Sequence, residues 1–175
     1  CGVGDALQRQ TLAAQGFEVR SAHYRVATTA SPAFASAAAI RLERVHAQLA
    51  ALGFSFPAAR TEVMVFADVE QMRPYSPGGE TAGFFQQGAE TSFIVVAWEA
   101  AADPYRALAH EAAHQAMASI AGQHPPWLRE GLAELLSNLE PAEGGLKLGS
   151  PIAAHIDAAR NGPPRSRLYA QHWMQ

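Results

Sequence analysis

Apolar and polar side chains follow two different periods in the first third of the chain. Residues 17–29 alternate between the two kinds, which predicts one or two β-strands. Residues 32–52 carry apolar side chains near helical spacing and Gly53 follows as a stop, so an amphipathic helix is expected there. The polar lead-in, residues 1–15, is predicted to form a tether ahead of these elements.

Three further β-rich runs occupy the middle of the chain. The first is residues 62–66, and the other two, residues 84–87 and 92–98, are separated by the turn-like residues 88–90. This short separation predicts a β-hairpin. Residues 74–83 are rich in Pro and Gly and are expected to form a surface loop near the hairpin.

The pattern changes to a helical one after the hairpin. Asp103 and Pro104 predict a helix start, because an Asp oxygen can accept from free amides and Pro needs no amide at the first helical position. Gly122 is the predicted end of this helix. A second helix is predicted from Pro125 through Leu139, where leucines recur at helical spacing.

The C-terminal residues carry two shorter helical patterns, 152–160 and 167–173. The sequence ends at Gln175 without a helix stop signal, so the natural protein is expected to continue. No repeat, low-complexity tract or linker divides the chain. Residues 1–175 are therefore predicted to form a single domain.

Composition and charge narrow the classes of partner. With 49% hydrophobic and 17% charged residues, the chain has the composition of a globular protein. The formal net charge is −3 and the 13 Lys and Arg are scattered, so nucleic acid is not an expected partner. No run approaches the roughly 20 apolar residues that a membrane-spanning helix requires.

The only cysteine of the chain is Cys1, which excludes an internal disulfide. A chain that begins Cys1-Gly2 resembles a mature bacterial lipoprotein, whose signal peptide is cut just before a lipid-bearing cysteine. The alternative is an arbitrary sequence boundary at this residue. The lipoprotein interpretation predicts an extracytoplasmic protein, periplasmic or anchored to the outer membrane, that meets the membrane only through a lipid on Cys1.

The sequence His-Glu-Ala-Ala-His at residues 110–114 lies on the first of the two predicted helices. A separation of four residues puts His110 and His114 on one helix face, one turn apart, where both can bind one metal ion. Catalytic zinc takes three protein ligands and one water molecule, and it lowers the pKa of that water to about 7. Glu111 is placed to remove a proton from this water. The alternative is a helix face with two satisfied histidines and a solvated glutamate.

The second helix offers a third ligand, because a short connection makes the two helices run antiparallel. His114 lies about 12 Å before Gly122 along the helix axis, and Glu130 about 7.5 Å after Pro125, so the Glu130 carboxylate can reach the same ion. Glu134, one turn further on, can accept the free N–H of a liganding histidine. The alternative is that both carboxylates simply lie on the solvated face of an amphipathic helix and bind nothing.

Together the two motifs resemble the gluzincin metallopeptidases, particularly the peptidase MA-like bacterial domains. The resemblance rests on His-Glu-Ala-Ala-His followed at 127–134 by Trp-Leu-Arg-Glu-Gly-Leu-Ala-Glu, and it covers residues 106–138. It implies that Glu130 is the third ligand of one zinc ion per chain and that Glu134 supports a histidine. It also implies an α+β, zincin-like fold, with a small mixed or antiparallel sheet packed on the active-site helix and a mainly helical C-terminal part.

Some site assignments stay open at the level of sequence. The metzincin pattern fails, because Met117 and Ile120 stand where it requires Gly and His. His124, in the predicted loop, is a rival third ligand. Tyr169 and His172 are the candidates for an oxyanion donor, and a packing or surface role is the alternative for each.

The resemblance implies a hydrolase that acts on a peptide or protein, which would pair with an edge strand of the sheet. In this mechanism Glu111 deprotonates the attacking water and passes the proton to the leaving amine. Two other functions fit the same residues: a non-catalytic zinc-binding lipoprotein that docks a partner, and a zinc amidohydrolase that acts on a non-peptide amide. The intact Glu111 argues against the first of these.

Overall fold

A computed structural model describes most of the chain between residues 16 and 149. The described residues are 16–76, 81–88, 91–99, 101, 103–120, 124–149, 156–157 and 160–161. The predicted tether, Cys1, Tyr169, His172 and the helix predicted at 167–173 lie outside them, and the helix predicted at 152–160 is helical at its described residues 156, 157 and 160. Within the described residues, no helix has the length and apolar character needed to cross a membrane.

Five strands form one mixed sheet in the order β1-β2-β3-β5-β4. They are β1 (Phe17–Arg20), β2 (Tyr24–Thr28), β3 (Thr61–Phe66), β4 (Gly83–Gln86) and β5 (Phe93–Ala97). The three central strands are parallel, whereas β1 and β4 run antiparallel to their neighbours at the two edges. The predicted strands and the β4–β5 hairpin are confirmed, and so is a mixed sheet.

Helices cover both faces of this sheet. They are α1 (Pro32–Ala51), α2 (Val69–Met72), which continues into a 3-10 turn at Arg73–Tyr75, α3 (Pro104–Met117) and α4 (Pro126–Ser137). Alternate residues of β3 point to opposite faces: Val63 and Val65 pack against α1 and α3, while Met64 and Phe66 pack near α2. All six residues of β3 are buried, as expected for a parallel strand covered on both sides. The predicted α+β class is confirmed.

The predicted boundaries of the two motif helices need correction. Asp103 caps α3 as expected, because its Oδ1 accepts from the backbone N–H of Tyr105 and Arg106. However, α3 ends at Met117 rather than at Gly122, and α4 begins at Pro126. The connection is therefore longer than the sequence predicted.

The prediction of a mainly helical C-terminal part is wrong for residues 139–148. These residues form a hairpin of β6 (Leu139–Ala142) and β7 (Gly145–Leu148). Leu139 continues the leucine spacing of α4, but Pro141 has no N–H to give to a helix, and Gly144 turns the chain with a φ of 78°. A local leucine pattern thus extended the predicted helix past its end at Ser137.

Candidate metal centre

The two motif histidines lie on the side of α3 that faces α4 and β4. The opposite side of the helix carries Leu108 and four small residues, Ala109, Ala112, Ala113 and Ala116, all fully buried in the main core. Small side chains allow a helix to pack closely on its neighbours. The core side of α3 therefore fixes the direction in which the side chains of residues 110, 111 and 114 project.

Helices α3 and α4 run antiparallel, as the order of their contacts shows. Arg106 and His110, early in α3, both contact Glu134, whereas His114, one turn later, contacts Glu130. Because α3 stops at Met117, His114 lies about 4.5 Å along the axis from its helix end, and Glu130 lies about 6 Å from the start of α4. The axial distances of His114 and Glu130 from the helix ends therefore differ by less than the predicted helix boundaries implied.

Three ligand atoms from these helices form a nearly regular triangle. His110 Nε2 lies 3.2 Å from His114 Nε2 and 3.3 Å from Glu130 Oε2, and His114 Nε2 lies 3.4 Å from the same oxygen. In a tetrahedral zinc site with bonds of about 2.0–2.1 Å, neighbouring ligand atoms are about 3.3 Å apart. The triangle therefore has the size of one face of such a site, and two imidazoles with one carboxylate are a donor set that zinc accepts.

His110 belongs to a short chain of polar contacts. Its Nδ1 lies 3.1 Å from Glu134 Oε2, and the other oxygen of Glu134 is paired with Nη1 of Arg106. A proton on Nδ1 donated to this carboxylate leaves the lone pair on Nε2, which faces the triangle. Sequence reasoning placed Glu134 next to a histidine but missed Arg106. The signal was present, because Arg106 stands four residues before His110 on the same helix face.

His114 is oriented by packing rather than by such a chain. Its side chain is only 10% exposed, and its buried Nδ1 has no hydrogen-bond partner among the described residues. Burial is the largest influence on its pKa and lowers it, although the charge of Glu130 acts in the opposite direction. The neutral imidazole, which is the form that binds a metal, is favoured.

Glu111 is the most deeply buried carboxylate beside the triangle, with 8% of the residue exposed. Burial, followed by the negative charge of Glu130, raises its pKa to about 8, and a hydrogen bond from the backbone N–H of Phe85 partly offsets the shift. The carboxylate lies against β4, where a Cβ added to Gly83 would lie 3.4 Å from its Oε1 and 3.0 Å from the Val95 oxygen. Sequence reasoning placed Gly83 and Phe85 on a strand bordering the cleft but missed their contacts with Glu111, which depend on this close approach of strand and helix.

Among the described residues, the group of side chains arranged to hold a metal consists of His110, His114 and Glu130. The rival ligand His124 is not part of it and lines a neighbouring cavity instead. A cavity of about 390 Å³ opens over the triangle, between β4 and α4, and Arg129 lies at its edge. The predicted oxyanion candidates, Tyr169 and His172, lie outside the described residues.

Compared with models of protein families, the sequence matches none, and no curated protein matches it either.

Proposed function

We propose that the protein is a zinc-dependent peptidase of the gluzincin type with a zincin-like fold. The observation that carries the proposal is the triangle of His110 Nε2, His114 Nε2 and Glu130 Oε2, whose edges of 3.2–3.4 Å fit three ligands of one zinc ion. Three protein ligands leave a fourth position, which distinguishes catalytic from structural zinc sites.

Bound zinc would supply a Lewis acid that polarises a substrate carbonyl and acidifies a water molecule. With the positive charge of the metal beside it, Glu111 would be ionised and serves as the general base: it takes a proton from the water as the oxygen forms its bond to the carbonyl carbon. As the C–N bond breaks, Glu111 gives this proton to the leaving nitrogen. The N–H of Phe85 holds the carboxylate in place for both transfers.

The edge of the sheet supports a peptide as the substrate. Strand β4 pairs with β5 on one side and is the last strand of the described sheet on the other. It borders the cavity over the triangle through Gly83, Phe84 and Phe85. An extended peptide could therefore form backbone hydrogen bonds with this edge while its scissile bond lies over the metal centre.

The first test combines metal content with peptide cleavage. Elemental analysis of the wild type should give about one zinc per chain, Glu130→Gln should hold less, and Glu111→Gln should hold zinc without cleaving a mixed peptide library. Glu140→Gln is the matched control, because Glu140 lies on β6 away from the site.

The same experiment, with a set of non-peptide amides assayed beside the peptide library, separates the alternatives. A wild type without zinc would contradict the proposal. Zinc together with cleavage of non-peptide amides, but not of peptides, would favour the amidohydrolase. Zinc without hydrolysis of either would favour the docking module.

A further inference from the structure

Three cavities follow one another along α3 and β4. A polar cavity of about 290 Å³ is lined by Asp103, which caps α3, by Arg106 in its first turn, and by Thr81, ahead of β4. The cavity over the metal centre follows, and a third of about 650 Å³ is lined by Met117 at the end of α3 and Gln87 beyond β4.

Neighbouring cavities share lining residues, so the three form one cleft. His110 and Glu111 line both the polar cavity and the one over the metal centre. His114, Phe85 and Arg129 line both the latter and the third cavity. Since residues 83–87 span about 13 Å when extended, a peptide alongside them would occupy both sides of the metal centre.

The third cavity, here called the apolar cavity, has a different chemistry from the rest of the cleft. It has the largest apolar lining of the three, formed by Phe85, Met117, Ile120, Leu128 and Leu132. The polar side chains of Gln87, His124 and Arg129 complete its walls. Ile120 is 43% exposed, so a ligand that covers it removes apolar surface from water. The cavity is large enough for a Leu, Met or Phe side chain.

The position of Glu111 sets the direction of a bound peptide. Glu111 lines the polar cavity and the one over the metal centre, and it is not among the residues around the apolar cavity. A group that gives its proton to the leaving nitrogen must lie on the side of that nitrogen. The leaving amine therefore extends toward the polar cavity, and the acyl part extends toward the apolar one.

From this arrangement we propose that the protein is an endopeptidase that cleaves on the carboxyl side of an apolar residue, whose side chain occupies the apolar cavity. The proposal rests on the peptidase function proposed above. It adds that substrate residues bind on both sides of the metal centre, and that Leu128 and Leu132 of α4 contribute to specificity.

Cleavage of a mixed peptide library, with the termini of each product determined, tests the proposal. We expect internal cuts that follow Leu, Met or Phe roughly tenfold more often than Gly or Asp. Leu128→Glu should weaken this preference and favour Lys or Arg at the same position. Leu135→Glu is the control. Leu135 lies two turns after Leu128 on α4, is 44% exposed and does not line the cavity. Cuts without an acyl-side preference, or only at peptide ends, would overturn the proposal and leave the peptidase standing.

A binding measurement tests the cavity without catalysis. N-acetyl-leucine hydroxamate and N-acetyl-glycine hydroxamate each carry a metal-binding group after one acyl-side residue. The zinc-loaded protein should bind the leucine compound roughly tenfold more tightly by calorimetry, and Leu128→Glu should remove the difference. A preference for leucine without peptide cleavage would support the cavity and contradict the peptidase. Equal binding of the two compounds would overturn only the assignment of a substrate side chain to the apolar cavity. Binding of neither compound would overturn both proposals.

Discussion

The two histidines of the metal centre are held in different ways. His110 contacts Glu134, which is paired with Arg106, whereas Nδ1 of His114 is buried and has no hydrogen-bond partner among the described residues. The direction of His110 Nε2 therefore depends on polar contacts, and that of His114 on the packing around it. Substitutions of Glu134 or Arg106, which are not themselves metal ligands, should therefore change metal affinity.

Arg106→Gln tests this dependence. The substitution removes the guanidinium from Glu134 and loosens the carboxylate that orients His110, so we expect zinc affinity to fall about 10–100-fold. Competition with a fluorescent chelator would measure the dissociation constant. Arg106→Lys should lose less zinc affinity than Arg106→Gln. Arg44→Gln should lose none, because Arg44 is exposed on α1. An unchanged affinity in Arg106→Gln would show that Glu134 orients His110 unaided.

Glu111 should make the stability of the metal-free protein depend on pH. Its pKa of about 8 in the folded chain exceeds the ordinary value of 4.5, because burial and then Glu130 disfavour the charged form. The folded state therefore binds a proton that the unfolded state releases, and the resulting stability is full below about pH 4.5 and is lost as pH rises toward 8.

In the presence of a metal chelator, the free energy of unfolding of the wild type should fall relative to that of Glu111→Gln as the pH rises from 5 to 8. The difference should change by on the order of 1 kcal/mol per pH unit. Urea denaturation at several pH values would measure it, with Glu140→Gln expected to follow the wild type. His114 titrates in every variant and cancels in the comparison. Parallel curves for wild type and Glu111→Gln would contradict the shifted pKa.

At the scale of elements, local signals predicted where helices begin better than where they end. The start of α3 is encoded by Asp103 and Pro104. Its end depends on backbone geometry: the N–H groups of Ala118, Ser119 and Ile120 bond to carbonyls three residues earlier, which tightens the last turn. Nothing in these residue types required the helix to stop before Gly122.

Contacts between distant segments explain what else could not be predicted. The spacing of His110, His114 and Glu130 was readable, because it depends on two adjacent helices. The order of the sheet was not, since β3 pairs with β5 and so places the β4 edge beside α3. The close approach at Gly83 is a consequence of that order.

Loss of the cap on α3 should lower stability. Asp103 accepts two backbone hydrogen bonds, so Asp103→Ala should reduce the free energy of unfolding by about 1 kcal/mol. Asp103→Asn is the matched control, because Asn caps helices as well as Asp does. Chemical denaturation in chelator would compare the three proteins. Equal stability of Asp103→Ala and the wild type would show that packing alone holds the start of α3.

At the scale of the whole molecule, α4 is the least anchored by apolar burial among the three long helices α1, α3 and α4. Only Ala133 and Ser137 of its residues are buried, and Trp127 and Leu135 are nearly half exposed. Its main packing partner is α3, which is itself fixed on the sheet. A metal bound by His110, His114 and Glu130 would therefore link this weakly packed helix to the core.

Zinc should accordingly stabilise the protein and slow the local opening of α4. Zinc at a hundred times its dissociation constant adds about 2.7 kcal/mol to the free energy of unfolding, which corresponds to a rise in Tm of about 5–10 °C. Hydrogen exchange should slow in α4, whose opening releases the metal, but not in amides of the edge strand β1 that exchange by local fraying and leave the metal centre intact. Glu130→Gln should lose most of both effects, and Glu140→Gln should keep them. A Tm that is independent of zinc would contradict the link, while a rise without added protection in α4 would mean that the histidines of α3 bind zinc without Glu130.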